Sequence, residues 1–487
     1  MTHADPLHLD ATTRAELWQA VGEAIEAYYR DVRYLDADIT VDADEARAVV
    51  ERFDFATPMQ PGEAIQRVVS DMRRLQAHVM HPRNFGMFDP APTAMGVVAQ
   101  ALVAAFNPCL ASRVGSPFGV EAERFLIEKF AELFGYSSQS ADGVITSGGS
   151  EANLTGLLLA LAARFPGHRE RGLLAIGGQP MVYVTSHAHP ATLKAVAVTG
   201  LGTDAVRRVP TDPWHRMDPA ALDSMIRADL AAGHIPLMVV ATAGTTDIGV
   251  IDPIGELADV AAEHGVWLHL DAAWGGALVL LPELRDALGE TARVDSITFD
   301  PHKWLSVPMG CGMLLTRHPG LLDQAFGVTT PFLAGREERG VDPHTRSIRW
   351  SRDFAGLKLL LSLAVAGWPG YEEALRRQVL LARRLRDGLC RDGWTITNDT
   401  PLPVVCFVDA DGQSEGLTAS IADAVNKSGE ARIFVVQAGD QVVLRACVTN
   451  YGTTADDIDL LIKLLGRVRT DARSGVFGQP NPEQLVQ

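Results

Sequence analysis

The sequence predicts an α/β protein built on a mostly parallel central sheet flanked by helices. Two observations carry this. Between residues 144 and 315 short β-branched runs alternate with amphipathic stretches, a pattern that folds by helical crossovers into parallel sheet. The flanks have a different texture: the chain begins helical and ends in a short mixture of strands and helices.

The elements follow in order. Thr12-Thr13-Arg14-Ala15-Glu16 opens a helix whose apolar positions keep helical spacing through Tyr28. Helices are predicted at 42–53 and 61–79, separated by Pro58 and Pro61-Gly62. A proline-punctuated arm of this kind makes little core of its own and is expected to pack on another surface, such as a second subunit. Strands are predicted at 143–146, 181–185, 205–209, 236–242, 266–271, 296–299 and 312–316, with helices at 151–164, 190–199, 218–232 and 254–264. A long helical pattern runs from 354 to 389, broken at Gly367-Trp368-Pro369-Gly370. Residues 394–487 mix strands (404–408, 433–436, 442–448) with helices (417–426, 456–468) and end in a Gly/Pro/Asn/Gln-containing tail expected to fray. The expected organisation is an N-terminal helical arm at 1–85, a large domain at 86–385 and a small α+β domain at 386–487.

Composition narrows the function. With 43 Lys+Arg against 60 Asp+Glu, the 487-residue chain carries a net charge of −17. That disfavours nucleic acid and anionic membrane as partners. Five scattered cysteines with no CxxC pair fit a reducing compartment and give no metal-finger signal. The start has no basic and apolar signal-peptide pattern, and the apolar stretches at 95–106 and 357–368 are too short to span a bilayer. A cytoplasmic protein is expected.

Four motifs fall just after predicted strands, where ligands sit in sheets of this class. Thr146-Ser147-Gly148-Gly149-Ser150-Glu151-Ala152-Asn153 joins a strand to a helix. Its glycines admit a close ligand, the helix start offers N–H groups to an anion, and Ser150 is placed to cap the helix. The plain structural reading is a capped turn. Neither GxGxxG nor GxxxxGK[ST] is present. Asp271 ends an apolar strand and is followed by Ala272, Ala273 and Gly275, which leave room for a flat ring. A half-buried carboxylate there needs a cation, such as a protonated pyridine nitrogen, or hydrogen bonds. Lys303, beside Trp304, is expected to be desolvated, with a lowered pKa suited to Schiff-base chemistry. His189 is suited to stack on a ring or to give a proton. A surface lysine and satisfied loop histidines are the plain alternatives, and neither His187 nor His189 belongs to a metal-ligand pattern, so no metal is expected. Together the four supply a phosphate cradle, a carboxylate for a ring nitrogen, a stacking imidazole and an amine. That set matches pyridoxal 5'-phosphate (PLP).

Over about residues 14–468 the sequence resembles the group II PLP-dependent amino-acid decarboxylases, the family of the aromatic-amino-acid, glutamate and histidine decarboxylases. The resemblance rests on Met80-His-Pro-Arg83-Asn-Phe-Gly86, Ser116-Pro117 with Glu121 and Glu123, the Thr146–Asn153 segment and Ala188-His189. It continues through Gly244-Thr-Thr246 with Asp252-Pro253, Asp271-Ala-Ala273 and Asp300-Pro-His-Lys-Trp304. It implies PLP fold type I, aspartate-aminotransferase-like, and a homodimer with the active site at the interface and the N-terminal arm wrapped around the partner. It implies that Lys303 forms the internal aldimine, Asp271 pairs with the pyridinium nitrogen, Ala273 and His189 cover the two ring faces, and Gly149 and Ser150 hold the phosphate. Thr246 then sits beside the ring, His302 near the phosphate, and Arg445 meets the substrate carboxylate. The implied reaction passes through an external aldimine and a quinonoid to the amine.

Two departures bear on the outcome. The family's mobile-loop tyrosine, which helps to protonate Cα, is matched here by Phe332 in Thr329-Thr-Pro-Phe-Leu333. A phenyl ring donates no proton, so oxidative decarboxylation-deamination to an aldehyde stands beside simple decarboxylation, with a non-catalytic PLP-fold dimer as a third reading. Arg113 replaces a common aromatic residue and points to an acidic substrate or to a salt bridge, while Phe88 points to an aromatic substrate. Asp300, where some members carry Asn, argues against direct contact between that side chain and the phosphate.

Overall fold

A computed structural model describes residues 7–39, 41–137, 141–328, 342–411 and 414–474. Phe332, its loop and the tail after Ser474 lie outside the described residues.

The larger sheet has seven strands: β1 (Asp142–Thr146), β2 (Pro180–Val184), β3 (Val206–Arg208), β4 (Ile235–Thr242), β5 (Trp267–Asp271), β6 (Ser296–Phe299) and β7 (Gly312–Thr316), in the order β1-β7-β6-β5-β4-β2-β3. Strands β3, β2, β4, β5 and β6 run parallel. β2, β4, β5 and β6 are buried, which is why they read as continuous apolar runs, whereas β3 at the sheet edge is partly exposed. Register sets the ends side by side: Thr242 pairs with Asp271, and Asp271 with Thr298. β7 is antiparallel to both neighbours. The β6–β7 connection carries Lys303 and has no crossover helix, so the chain returns in the opposite direction.

Helices α1 (Ala11–Asp31), α2 (Ala43–Val50) and α3 (Pro61–Leu75) form at the expected places. α4 (Ala94–Phe106), capped by Thr93, and α5 (Pro117–Leu133) were not anticipated as helices. The near-continuous apolar run of α4 masks its helical period, whereas α5 interleaves buried apolar residues such as Leu126 and Phe130 with charged ones. α6 (Gly149–Arg164) is entered through Gly148, with Ser150 in its first turn, so the expected Ser150 cap is corrected. The helix Gly356–Arg391 breaks its helical geometry at Gly367 (φ 63°, ψ 174°), at the predicted interruption.

A second, antiparallel sheet has the order β10-β11-β9-β8, from β8 (Trp394–Ile396), β9 (Val404–Asp409), β10 (Phe434–Ala438) and β11 (Gln441–Cys447). β8 was too short to leave a pattern. Helices Glu415–Lys427 and Ala455–Arg473 contribute to the core on this sheet, around Phe407, Leu444, Ile458 and Leu465. The N–H of Cys447 donates to Phe85 O at 2.7 Å, tying β11 to the segment that leads into the site.

Neither α1 nor α3 buries a residue, and Trp18 is 62 % exposed. No helix among the described residues is long and apolar enough to cross a membrane.

Candidate active site

Five strands deliver their carboxyl ends to one cleft of about 340 Å³. β1 leads to Ser147–Ser150, β2 to His189, β4 to Gly244 and Thr246, β5 to Asp271 and Ala273, and β6 to Asp300, His302 and Lys303; all of these line it. The sheet therefore assembles residues up to 156 positions apart, from Ser147 to Lys303.

Asp271, 6 % exposed, is held by a chain of hydrogen bonds reaching back beneath the cleft. Trp267 Nε1 donates to Ser296 Oγ (2.9 Å), so the serine hydrogen goes to His269 Nδ1 (2.7 Å). The His269 proton then lies on Nε2 and is donated to Asn153 Oδ1 (2.9 Å), where Thr298 Oγ adds a second bond (2.6 Å). With its oxygen taken twice, Asn153 turns its amide nitrogen to Asp271 Oδ2 at 2.8 Å. Asp271 Oδ1 accepts from the Ala273 N–H at 3.1 Å. Burial pushes His269 down to about 4, so the ring is neutral, as this arrangement requires.

Lys303 sits in a succession of tight turns. Its N–H bonds to Asp300 O, and its carbonyl accepts from the Ser306 N–H. Trp304, fully buried, anchors the turn through Nε1 to Gln378 Oε1 (2.6 Å). Lys303 Nζ lies 3.2 Å from Asp300 Oδ2. Burial works against the ammonium, but Asp300 and Asp271 together outweigh it and hold the Lys303 pKa above the ordinary lysine value. The expectation of a lowered pKa is thus reversed, because carboxylates, Asp300 and Asp271 foremost and Asp89 after them, share the lysine's pocket.

At the head of α6 the Gly149 N–H donates to Asp300 Oδ2 at 2.9 Å, so a carboxylate already occupies one anion position of that helix end. Glu151 does not simply face the helix end: it accepts from Ser147 N–H and Oγ and pairs with Arg349 at 3.0 Å. Gly148 passes so close to His302 that a Cβ there would lie 3.0 Å from the ring. His302 Nδ1 faces Cys311 O at 2.9 Å.

His189 Nδ1 accepts the Ala191 N–H at 3.1 Å, which puts the proton of the neutral ring on Nε2. Burial lowers its pKa. His187, two residues before it, pairs instead with Asp247 at 2.5 Å.

Three expected substrate residues are not brought to the cleft. Phe88 is buried and stacks on Trp274 (4.3 Å between centroids), behind the wall that Trp274 forms. Arg445 is buried rather than in a surface salt bridge: its guanidinium donates to Thr246 O and Gly86 O and lies over Phe88. Arg113 lines a different pocket and pairs with Glu121 at 2.8 Å, following its salt-bridge reading. Conversely, Asp89, Thr242, Trp274 and Met309 line the cleft without having been singled out. Asn153 left a readable signal: a polar residue on the buried stripe Ala152, Asn153, Gly156, Leu157, Ala160 of α6.

The cleft fits PLP on a structural test. A Cβ at Gly149 would stand 2.9 Å from Asp300 Oδ2 and 3.5 Å from Ala273 Cβ, filling the space between the helix end and Ala273 that the glycine leaves open. The donor set is also right for it: a held carboxylate, a helix N-terminus and an amine in one cavity.

Residues 49–409 match the family model described as the pyridoxal-dependent decarboxylase conserved domain. The chain is 27 % identical over 475 residues to the aromatic-L-amino-acid decarboxylase of Bacillus atrophaeus, covering 95 % of this chain and 96 % of that one. Among solved structures, Oryza sativa TDC with PLP and tryptamine superimposes with a TM-score of 0.90 at 24 % identity, over 96 % of this chain and 99 % of that one. Catharanthus roseus tryptophan decarboxylase in complex with L-tryptophan gives 0.87 at 25 % identity, over 96 % and 100 %.

Proposed function

Because this chain belongs to the pyridoxal-dependent decarboxylase family, we propose that its cleft removes the α-carboxyl group of an L-amino acid and releases the amine. The protein is a PLP-dependent carboxy-lyase. The observation that carries the assignment of roles is that Lys303 and Asp271 open on one cavity from neighbouring strands.

PLP, when bound, supplies an aldehyde for the amine and a protonated ring that accepts the electron pair of the breaking Cα–carboxylate bond. Lys303 would hold the cofactor's aldehyde through its amine and carry the proton that the exchange with substrate moves. Asp271, held in place by Asn153 and the Ala273 N–H, keeps a proton on the ring nitrogen. Ala273 offers a methyl group to one ring face and His189 an imidazole to the other. Ser150 and His302 would hold the phosphate end, Gly149 would leave room for it with its N–H turned to Asp300, and Thr246 would border the ring. His189 Nε2–H is the proton donor for Cα. Trp274 and Met309 wall the cleft and limit water around the departing carboxylate.

A homodimer completes the reading. α1 and α3, within the arm at 1–85, hold no fully buried residue, and Phe106 at the end of α4 and Phe118 on α5 are exposed. A second copy covers them.

Phe332 favours a second outcome. Without a tyrosine donor in that loop, O₂ competes with the proton, and one amino acid, one O₂ and one H₂O give aldehyde, CO₂, NH₃ and H₂O₂. Incubation of the holoenzyme with a panel of L-amino acids, with CO₂, amine, aldehyde and peroxide all measured, tests both. Amine with CO₂ and no O₂ uptake supports the first reading; peroxide stoichiometric with CO₂ supports the second. No CO₂ from any amino acid rejects both in favour of a non-catalytic dimer.

A further inference from the structure

Asp89 is the one carboxylate lining the cleft whose charge the protein leaves without a partner among the described residues. The other three are engaged: Glu151 by Arg349, Asp271 by the Asn153 amide, and Asp300 by Lys303 and the Gly149 N–H. Asp89 is half-buried and makes no hydrogen bond or ion pair with the described residues. It lines the same cavity as Lys303, and its charge is felt at Lys303 and at Cys447. None of the roles required by the cofactor falls to it.

The cations tell the same story from the other side. No arginine is among the described residues that line the cleft, and its only lysine is Lys303. Arg445 spends two of its nitrogens on backbone carbonyls, and Arg113 is paired in another pocket. A substrate with a side-chain carboxylate would meet Asp89 with no compensating cation among the described residues, and like charges in a half-buried site are costly. An ammonium side chain would meet an unpaired carboxylate in surroundings where a charged hydrogen bond is stronger than in water.

Resting on the decarboxylase reading, we propose that Asp89 selects the substrate: the cleft takes L-amino acids with a cationic, ammonium-bearing side chain and rejects acidic ones. Asp89 pairs with the side-chain ammonium while the α-amino group replaces Lys303.

The test is kcat/KM for CO₂ release by the holoenzyme from L-ornithine, L-lysine and L-2,4-diaminobutyrate, set against L-norleucine (a neutral isostere of ornithine), L-phenylalanine and L-glutamate. A diamino acid should lead the panel and glutamate should come last. D89N should lower the ratio of ornithine to norleucine by about 10- to 100-fold, the loss of a charged hydrogen bond, and D89E should restore part of it. A wild-type preference for glutamate, phenylalanine or norleucine overturns the proposal while leaving the decarboxylase reading intact. So does a D89N enzyme whose rates fall in equal proportion for all substrates, since Asp89 would then serve Lys303. CO₂ from no amino acid at all overturns the decarboxylase reading and this proposal with it.

Discussion

Asn153 Nδ2 donates to Asp271 Oδ2 at 2.8 Å, so a helix facing the sheet sets the direction of the carboxylate at the end of β5. The amide cannot turn over without setting two donors, His269 Nε2 and Thr298 Oγ, against an NH₂ group. Asn153→Leu should therefore weaken cofactor binding by about 10- to 100-fold, through loss of a hydrogen bond to a charged group. Titration of the apoprotein with PLP, followed by absorbance, checks this; an unchanged affinity would mean that Asp271 needs no such support.

His269 carries a stability signature. Its folded pKa, pushed down to about 4 by burial, lies below the unfolded value of about 6.5. The neutral form is the one the fold accepts, so the contribution is complete above pH 6.5 and is lost as pH falls toward 4. The full difference is on the order of 3 kcal/mol. Urea unfolding at pH 7.5 and pH 5 should show a loss, and His269→Asn should reduce the pH dependence between them while preserving an amide in the network.

His189 should tie activity to pH in the same direction. Burial lowers its pKa, and its neutral ring holds the donor proton on Nε2. His189→Phe keeps a ring face but no proton, and should lower kcat much more than it raises KM. Steady-state kinetics across pH 5.5–8 check this, and a proportional change in both constants would point to ring packing alone.

The Arg352–Glu123 pair tests the frame rather than the chemistry. Both side chains are almost fully buried, where α5 meets the entry to the helix Gly356–Arg391, and the Gly356 N–H also bonds to Glu123. Burial raises the Glu123 pKa against the pull of Arg352. Arg352→Met should cost roughly 3–5 kcal/mol by leaving an uncompensated buried acid, and Glu123→Gln with Arg352→Met should recover much of that loss. Thermal unfolding of the single and double variants reads it directly.

The parts of this protein that were legible in sequence are those written in local pattern. The alternation from 144 to 315 revealed the parallel strands, and the positions of His189, Asp271 and Lys303 after them placed all three in one cleft. What stayed hidden depends on contacts across the chain. β7 reads as a strand from its apolar run, but its direction comes from the lack of a crossover helix. Lys303 looked desolvated, and the sign of its shift depends on neighbouring acids, Asp300 first and then Asp271, 32 positions away, and Asp89. Arg445 looked available, yet carbonyls at Gly86 and Thr246, far off in sequence, take its guanidinium. Asp89 had no pattern at all; only the fold turns it toward the lysine's cavity.

As proposed, Lys303 carries the cofactor in the cleft held by Asp271. Borohydride reduction of the holoenzyme followed by peptide mass mapping tests it most directly. A phosphopyridoxyl group on Lys303, absent from a Lys303→Ala protein, is the expected result. The same group on Lys194, Lys358 or any other lysine of an active preparation would contradict it.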